Sequence, residues 1–494
     1  MIFTNPPKLF IFLFFIILNY SKEEEDLRWA FEIFRHGART PYSGMTEDPS
    51  GFLDCFGVPW IGIKELTGVG LRQHFLVGYR NRIRYMVDNK LLKETYDPRE
   101  VYLISTDSNR TIMSANAQVQ GLYIPGTALN LNEKQAKVAI PPVEEGIFDD
   151  EQKILDDNGY LTLPNGMNIM PVHTFFNQDH FIQLQDKKVC PKSEDIYTKN
   201  QNRKEVIEFL DKMTQKYGQK LSNILYKKED QKSDVLKNYT KAYYIFDTII
   251  SQYTEGIDYF DSLCEKLNVD KFELLNDSFT FFELDLIGNG IDNDKELCLH
   301  SMSPIFDRLL KWMDAKINKD IEGKEDYTEY DLPKFVMFSA HDSTCGAFMG
   351  FMKEVFGTEI KYPFFATNIN LELVRDGGKK KEKYKVRYII NDDYMKDINY
   401  IDFEKKLKEK MKSTDDINKF CGFVEENKNE KKEEEEETNI TVYIIVNVVL
   451  SVISIILIIL IFITIKKKKS NRTSEIDNMD NIEPLNPVKG SENE

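Results

Sequence analysis

Three short runs of aromatic and branched side chains, each followed by a polar loop, constrain this chain more than any other feature. They are Trp29-Ala30-Phe31-Glu32-Ile33-Phe34, Val101 to Ile104, and Phe335-Val336-Met337-Phe338. Their length and composition predict buried strands. The first runs into the glycine-containing segment Arg35 to Pro41. The second runs into Ser105 to Asn109, then into a helical pattern from Arg110 with Ile112, Met113, Ala117, Val119 and Leu122 on its apolar side. The third runs into Ser339 to Ser343 and a helix through Met352. Repeated strand, loop and helix units predict an α/β fold whose mostly parallel sheet is flanked by helices. Ile369 to Val374 and Lys385 to Ile390 add two alternating strands. Between these parts, residues 190–291 carry helical periodicity, as in Val206-Ile207-Phe209-Leu210-Met213 and Ala242 to Ile250, and predict a smaller helical cap domain.

Two apolar runs interrupt an otherwise polar chain. Leu9 to Leu18 follows Lys8 and precedes the charged Lys22 to Asp26, which predicts a secretory signal peptide over residues 1–21. Ile440 to Ile465 carries no charge and is followed by Lys466 to Lys469. Its length suits a single C-terminal transmembrane helix, and the basic cluster marks the cytosolic side. The expected topology is single-pass type I. Residues 22–424 form the lumenal or extracellular domain, with its core at about 27–189 and 292–424. Residues 425–439 form an acidic stalk and 466–494 a cytosolic tail without aromatic residues, read as disordered.

The formal net charge is −16, from 65 basic and 81 acidic residues. Such a balance argues against a nucleic-acid partner, whose affinity would rest on excess Lys and Arg. Within this acidic chain, Arg35-His36-Gly37-Ala38-Arg39-Thr40-Pro41 is a concentrated cationic loop at the carboxyl end of the first strand, the edge where open α/β sheets bind ligands. Two guanidiniums four residues apart suit a phosphate or carboxylate held between them. Arg110 follows the second strand, and His341 with Asp342 follows the third. Three Arg, two His and one Asp at one sheet edge, without a cluster of metal ligands, are equipment for phosphoryl transfer that calls for no metal and no cofactor.

These loops, in this order, resemble the histidine acid phosphatases. RHGARTP, STDSNRTIMSA and SAHDS carry the resemblance, supported by Glu65-Leu66-Thr67 with Gly70, Gln73-His74, and Met170-Pro171-Val172-His173-Thr174. It extends over about Leu27 to Cys421. With the leader, span and tail, the chain looks most like the membrane-anchored lysosomal and prostatic type. The resemblance implies a phosphoglycerate-mutase-like core and hydrolysis of small-molecule phosphate monoesters, and it is compatible with a homodimer. Carried over to this sequence, it implies His36 as nucleophile, Asp342 as proton donor, and Arg35, Arg39, Arg110 and His341 as phosphate-binding groups. Thr40 and Pro41 are assigned to loop shape. A proton on Asp342 at leaving-group departure favours acidic pH. Rival readings are a phosphatase narrowed to inositol phosphates or lysophosphatidic acid, and a silent anchored receptor.

All six cysteines precede the span, in what would be an oxidising compartment. The resemblance implies a Cys190–Cys421 disulfide. It also makes Cys264 half of a bridge whose partner position near Thr367 lacks cysteine, leaving Cys298 as a substitute; Cys345 is expected to pack as a thiol. His74, His173, His180 and His300 are read as structural, and the calcium-loop likeness of residues 285–296 fails because Ile287 takes a ligand position. Of the sequons, Asn238 and Asn276 are the expected glycosylation sites; Asn109 adjoins Arg110, Asn439 adjoins the span and Asn471 is cytosolic.

Overall fold

The computed structural model describes residues 25–42, 53–141, 146–147, 150, 160–174, 189–226, 233–286, 295–324 and 332–423. The expected signal peptide, acidic stalk, transmembrane segment and tail lie outside them, as does His180. Among the described residues no helix is long and apolar enough to cross a membrane.

A seven-stranded sheet organises the unit Met1–Gly422. Its strands are β1 (Glu25–Arg35), β2 (Val101–Ser105), β3 (His173–Thr174), β4 (Phe335–Ala340), β5 (Asn368–Asp376), β6 (Tyr384–Ile390) and β7 (Asp393–Asn399), in the order β3-β2-β4-β1-β5-β6-β7. β4 pairs in parallel with both β1 and β2, and β2 with β3. β5 pairs antiparallel with β1 and β6, and β7 antiparallel with β6. The sheet is therefore mixed, with β5 and β7 reversed against the other strands. β1 and β4 are buried on both faces from Trp29 and Phe335 onward, which is why they read as unbroken apolar runs. β7, at the sheet edge, is mostly exposed and buries only Ile398, so its sequence carries little apolar signal.

Helices cover both faces. α1 (Gly68–Arg82) and α2 (Asn109–Leu122) lie on one side, over a cluster that includes Phe34, Tyr85, Leu103, Val119 and Met337. The helical insertion contains α3 (Lys192–Gln201), α4 (Lys204–Met213), α5 (Gln219–Leu225), α6 (Tyr239–Glu255), α7 (Asp258–Leu267) and α8 (Lys271–Leu286). Helices α4 to α8 share a separate apolar cluster running from Val206 to Phe282. On the other sheet face pack α9 (Lys295–Ile321), α10 (Asp342–Phe356) and α11 (Tyr400–Lys410); α12 (Thr414–Cys421) ends the unit. Phe348 of α10 stands between Phe31 and Phe306, with ring centroids at 5.9 and 4.8 Å. Truncating such a ring to alanine costs about 3–5 kcal/mol.

Cys190 and Cys421 form a disulfide that ties the start of α3 to the end of α12. The suggested substitution of Cys298 as partner for Cys264 is corrected. Cys264 packs in the helical cluster and Cys298 in the cluster beside the sheet, so the two do not bridge. Cys345 is a fully buried thiol on α10.

Candidate active site

Register brings the three strand ends to one level. Arg35 pairs with Ala340 across β1 and β4, and Ser105 with Ser339 across β2 and β4. The chain then leaves each strand at the same edge and delivers its functional side chains there. Gly37 lets the first loop turn close to α1: a Cβ on it would fall 2.5 Å from the Gly70 carbonyl oxygen. Thr40 fixes the loop on its far side, its Oγ1 accepting from the Glu65 N–H at 2.9 Å while the Lys64 N–H donates to the Pro41 carbonyl. His341 occupies the N-cap position of α10 and Ser108 that of α2, so two helix N-termini point their positive ends at this edge.

His36 is almost fully buried. Its Nδ1–H donates to the Gly37 carbonyl at 2.9 Å, which fixes the tautomer and leaves Nε2 as a bare lone pair. Burial first, then Arg35 and Arg39, hold its imidazole well below the ordinary histidine range, so it stays neutral at acidic pH. His341 stands beside it, with ring centroids 5.6 Å apart. Its imidazole is also held below the ordinary range, by burial and by Arg110, with Asp342 opposing.

The three arginines are anchored differently. Arg35 donates to the Pro363 carbonyl at 2.9 Å, lies 4.3 Å from the Phe365 ring centroid and pairs with Asp342 at 2.7 Å. Arg39 is gripped through both terminal nitrogens by the Asp247 carboxylate, at 3.1 and 2.8 Å. Asp247 comes from α6 of the insertion and also accepts the Tyr42 N–H at 2.6 Å. Arg110 reaches His341 with one terminal nitrogen. The Nε atoms of Arg35 and Arg110 are buried without a protein partner. Buried donors of this kind await an acceptor.

Asp342 is governed by its charged neighbours. Burial pushes its carboxyl up, but Arg35 and then Arg39 outweigh burial, and the group sits below the usual aspartate range. In the ligand-free site it is an anion paired with Arg35, not a ready acid.

A cavity of about 370 Å³ opens over these groups, lined by His36, Arg39, Arg110, His341 and Asp342 from the sheet edge. Its other wall is aromatic, with Tyr42, Tyr197, Tyr243, Tyr244, Phe282 and Tyr362, and it carries one further acid, Asp285. No lysine lines it among the described residues. Nor do those residues include a group of three His, Cys, Asp or Glu side chains placed to hold a metal.

Five of the six candidate residues thus line one cavity, and the sixth, Arg35, is paired with Asp342 at its edge. The other described histidines do not line it. His74 joins Gln118 to the Arg35 carbonyl, His173 stacks on Tyr102 at 4.8 Å, and His300 stacks on Phe420 at 4.0 Å. Sequence reasoning missed Asp247, Tyr362, Phe365 and Thr106. A lone carboxylate on the otherwise apolar stretch Ala242 to Ile250 was the available signal for Asp247.

Residues 26–391 match the histidine phosphatase superfamily (branch 2), and the chain belongs to that family. It is similar to the lysosomal acid phosphatase of Xenopus laevis, 35% identical over 123 residues (24% of this chain, 27% of that protein). Human prostatic acid phosphatase is 36% identical over 119 residues (24% and 28%), and the bovine one 29% over 210 residues (42% and 46%). The chain spans about a quarter of the length of the first two relatives. Among solved structures, Hafnia alvei phytase in complex with myo-inositol hexakis sulphate aligns with a TM-score of 0.51 at 11% identity, covering 78% of this chain and 98% of that one. At that identity the likeness is one of fold.

Proposed function

We propose that this protein is an acid phosphatase that hydrolyses phosphate monoesters through a phosphohistidine on His36. The observation that carries the reading is the bare Nε2 of His36 in a cavity edged by Arg39 and Arg110, with Arg35 held against the lining Asp342. Nε2 attacks phosphorus and the ester oxygen departs with a proton from Asp342. The histidine, still holding Nδ1–H against Gly37, becomes a phosphoimidazolium. Water then attacks phosphorus, its proton passes to Asp342, and inorganic phosphate leaves neutral His36 behind. The equatorial oxygens are stabilised throughout by guanidinium and imidazole donors fixed in place beforehand. An incoming phosphoryl group competes for Arg35, which frees Asp342 from its ion pair and raises its proton affinity. Acid pH supplies that proton.

The cavity favours esters with one phosphate and a flat or apolar leaving group. Its described wall offers aromatic rings and Asp285 where a polyphosphorylated ring would need further cations. In this reading the domain is lumenal or extracellular, exported by residues 1–21 and anchored by residues 440–465, with glycans on the exposed Asn238 and Asn276. A panel of aryl, alkyl and inositol phosphates, assayed across pH with the full-length protein, tests it. Activity that survives His36→Ala removes the nucleophile assignment, and a wild type inactive on every ester removes the enzyme reading.

A further inference from the structure

His341 sits between Arg110 and Thr106, and its two ring nitrogens meet opposite requirements. Nδ1 lies 3.3 Å from a terminal nitrogen of Arg110. A guanidinium only donates, so Nδ1 is the acceptor and carries no proton. Nε2 lies 2.9 Å from Thr106 Oγ1 and therefore holds the proton and donates it. The Thr106 hydroxyl donates onward to Thr111 Oγ1 at 2.9 Å. Thr111 in turn donates to the carbonyls of Thr106 and Ser108, both at 2.9 Å. Each hydrogen in this chain has one direction, and the chain ends on backbone carbonyls that cannot reverse it. Thr106 and Thr111 are both essentially fully buried, so water does not replace either hydroxyl.

We infer that Thr106 and Thr111 are positioning residues that lock His341 in the Nε2–H tautomer, so that a phosphate group must enter with a proton for Nδ1. The inference rests on the cavity being a phosphate site. A bare Nδ1 repels a phosphoryl oxygen until a proton lies between them. That proton comes from the P–OH of a monoanion or from solvent, and phosphate esters lose it near pH 6. Arg110, Arg35 and Arg39 oppose a second proton on the ring, and the neighbouring Asp342 favours one. A bound phosphate dianion reverses this balance. The acid preference then has a second origin besides Asp342, namely the proton shared between His341 and the ligand.

Binding of inorganic phosphate to the full-length enzyme, measured from pH 5 to 8, tests the lock in wild type, Thr106→Val and Thr106→Ser. Valine keeps the shape and removes the acceptor of Nε2–H. The Nδ1–H tautomer then becomes available and donates to phosphate without taking up a proton. The expected result is a loss of affinity with rising pH that is about tenfold per pH unit shallower in Thr106→Val, with the wild-type slope restored in Thr106→Ser. Parallel slopes in all three, with hydrolysis intact, overturn the lock and leave the phosphatase reading standing. Absence of phosphate binding to wild type overturns both. Nitrogen-15 resonances of His341 in the ligand-free wild type at pH 7 give a check that needs no variant: a protonated Nδ1 refutes the inference.

Discussion

Replacing Asp342 by asparagine separates its two proposed roles, because they respond in opposite directions. The carboxylate holds Arg35 at 2.7 Å, with its side chain 31% exposed against 5% for the arginine. Opposite unit charges 4 Å apart attract by about 4 kcal/mol at an effective dielectric of 20, and partial exposure reduces this to about 1–2 kcal/mol. An incoming phosphoryl group must overcome that attraction and the repulsion of the carboxylate itself. Asparagine keeps the volume and still accepts the Ser343 N–H, held at 2.8 Å in the wild type. Inhibition by inorganic phosphate at pH 5 is therefore expected to tighten about tenfold in Asp342→Asn, since 1.4 kcal/mol corresponds to that factor. Over the same range kcat falls by about 10²–10⁴ on an alkyl phosphate, the usual contribution of a positioned general acid. The loss is smaller on an aryl phosphate, whose leaving group departs without a proton. Steady-state kinetics with one ester of each kind, plus phosphate as competitive inhibitor, measures all three quantities. Weaker phosphate inhibition, or equal loss on both esters, refutes the reasoning.

Two further outcomes follow from buried carboxylates. Asp247→Ala leaves the Arg39 charge buried and unpaired, which costs about 3–5 kcal/mol in unfolding free energy and raises KM. Asp247→Asn costs less, and urea denaturation with kinetics distinguishes the two. Glu32, fully buried, is pushed up to about 7 by burial against hydrogen bonds from Asn81, Asn368 and Gln118. Unfolding returns it to its ordinary value of 4.5. The unfolded chain then holds fewer protons than the folded one between these values. This stability is present below pH 4.5 and is lost as pH rises towards 7. Denaturant midpoints should decline across that window in wild type and lose this component in Glu32→Gln.

The site was legible where its residues are contiguous with strand ends. Arg35, His36 and Arg39 share one loop, His341 and Asp342 another, and each loop follows a strand whose two-sided burial leaves an unmistakable apolar run. Asp247 was not legible because its partnership with Arg39 spans 208 residues and joins the sheet edge to a helix of the insertion. A lone acid on an apolar helix face announces that it is buried, not what it is buried against. Thr106 stood inside a recognised motif, yet its contact with His341 depends on the packing of β2 beside β4. Strand direction was equally hidden. The alternation at Ile369 to Val374 marks β5 as a strand, but only its pairing with β1 shows it reversed. The 27-residue α9 escaped notice because Pro304 and a mixed Cys, His, Ser and Met stretch break its apolar period.

Two carboxylates, Asp247 and Asp342, pair with two of the three guanidiniums at this site, and their exposures assign them different fates. Asp247 is 5% exposed and makes three hydrogen bonds to the first loop, so displacing it would bury an unpaired charge. Asp342 makes one ion pair at the cavity wall, where an incoming anion can replace it. In the proposed mechanism the first carboxylate therefore stays and holds Arg39 in place, while the second is exchanged for substrate. Exchange is what makes Asp342 useful: while paired with Arg35 it has no proton to give, and once displaced beside a phosphoryl dianion it takes one up. The same ligand charge draws a proton toward His341. Substrate binding and protonation of the site are thus a single coupled event, and acidity enters as a reactant of binding before it enters as a catalyst.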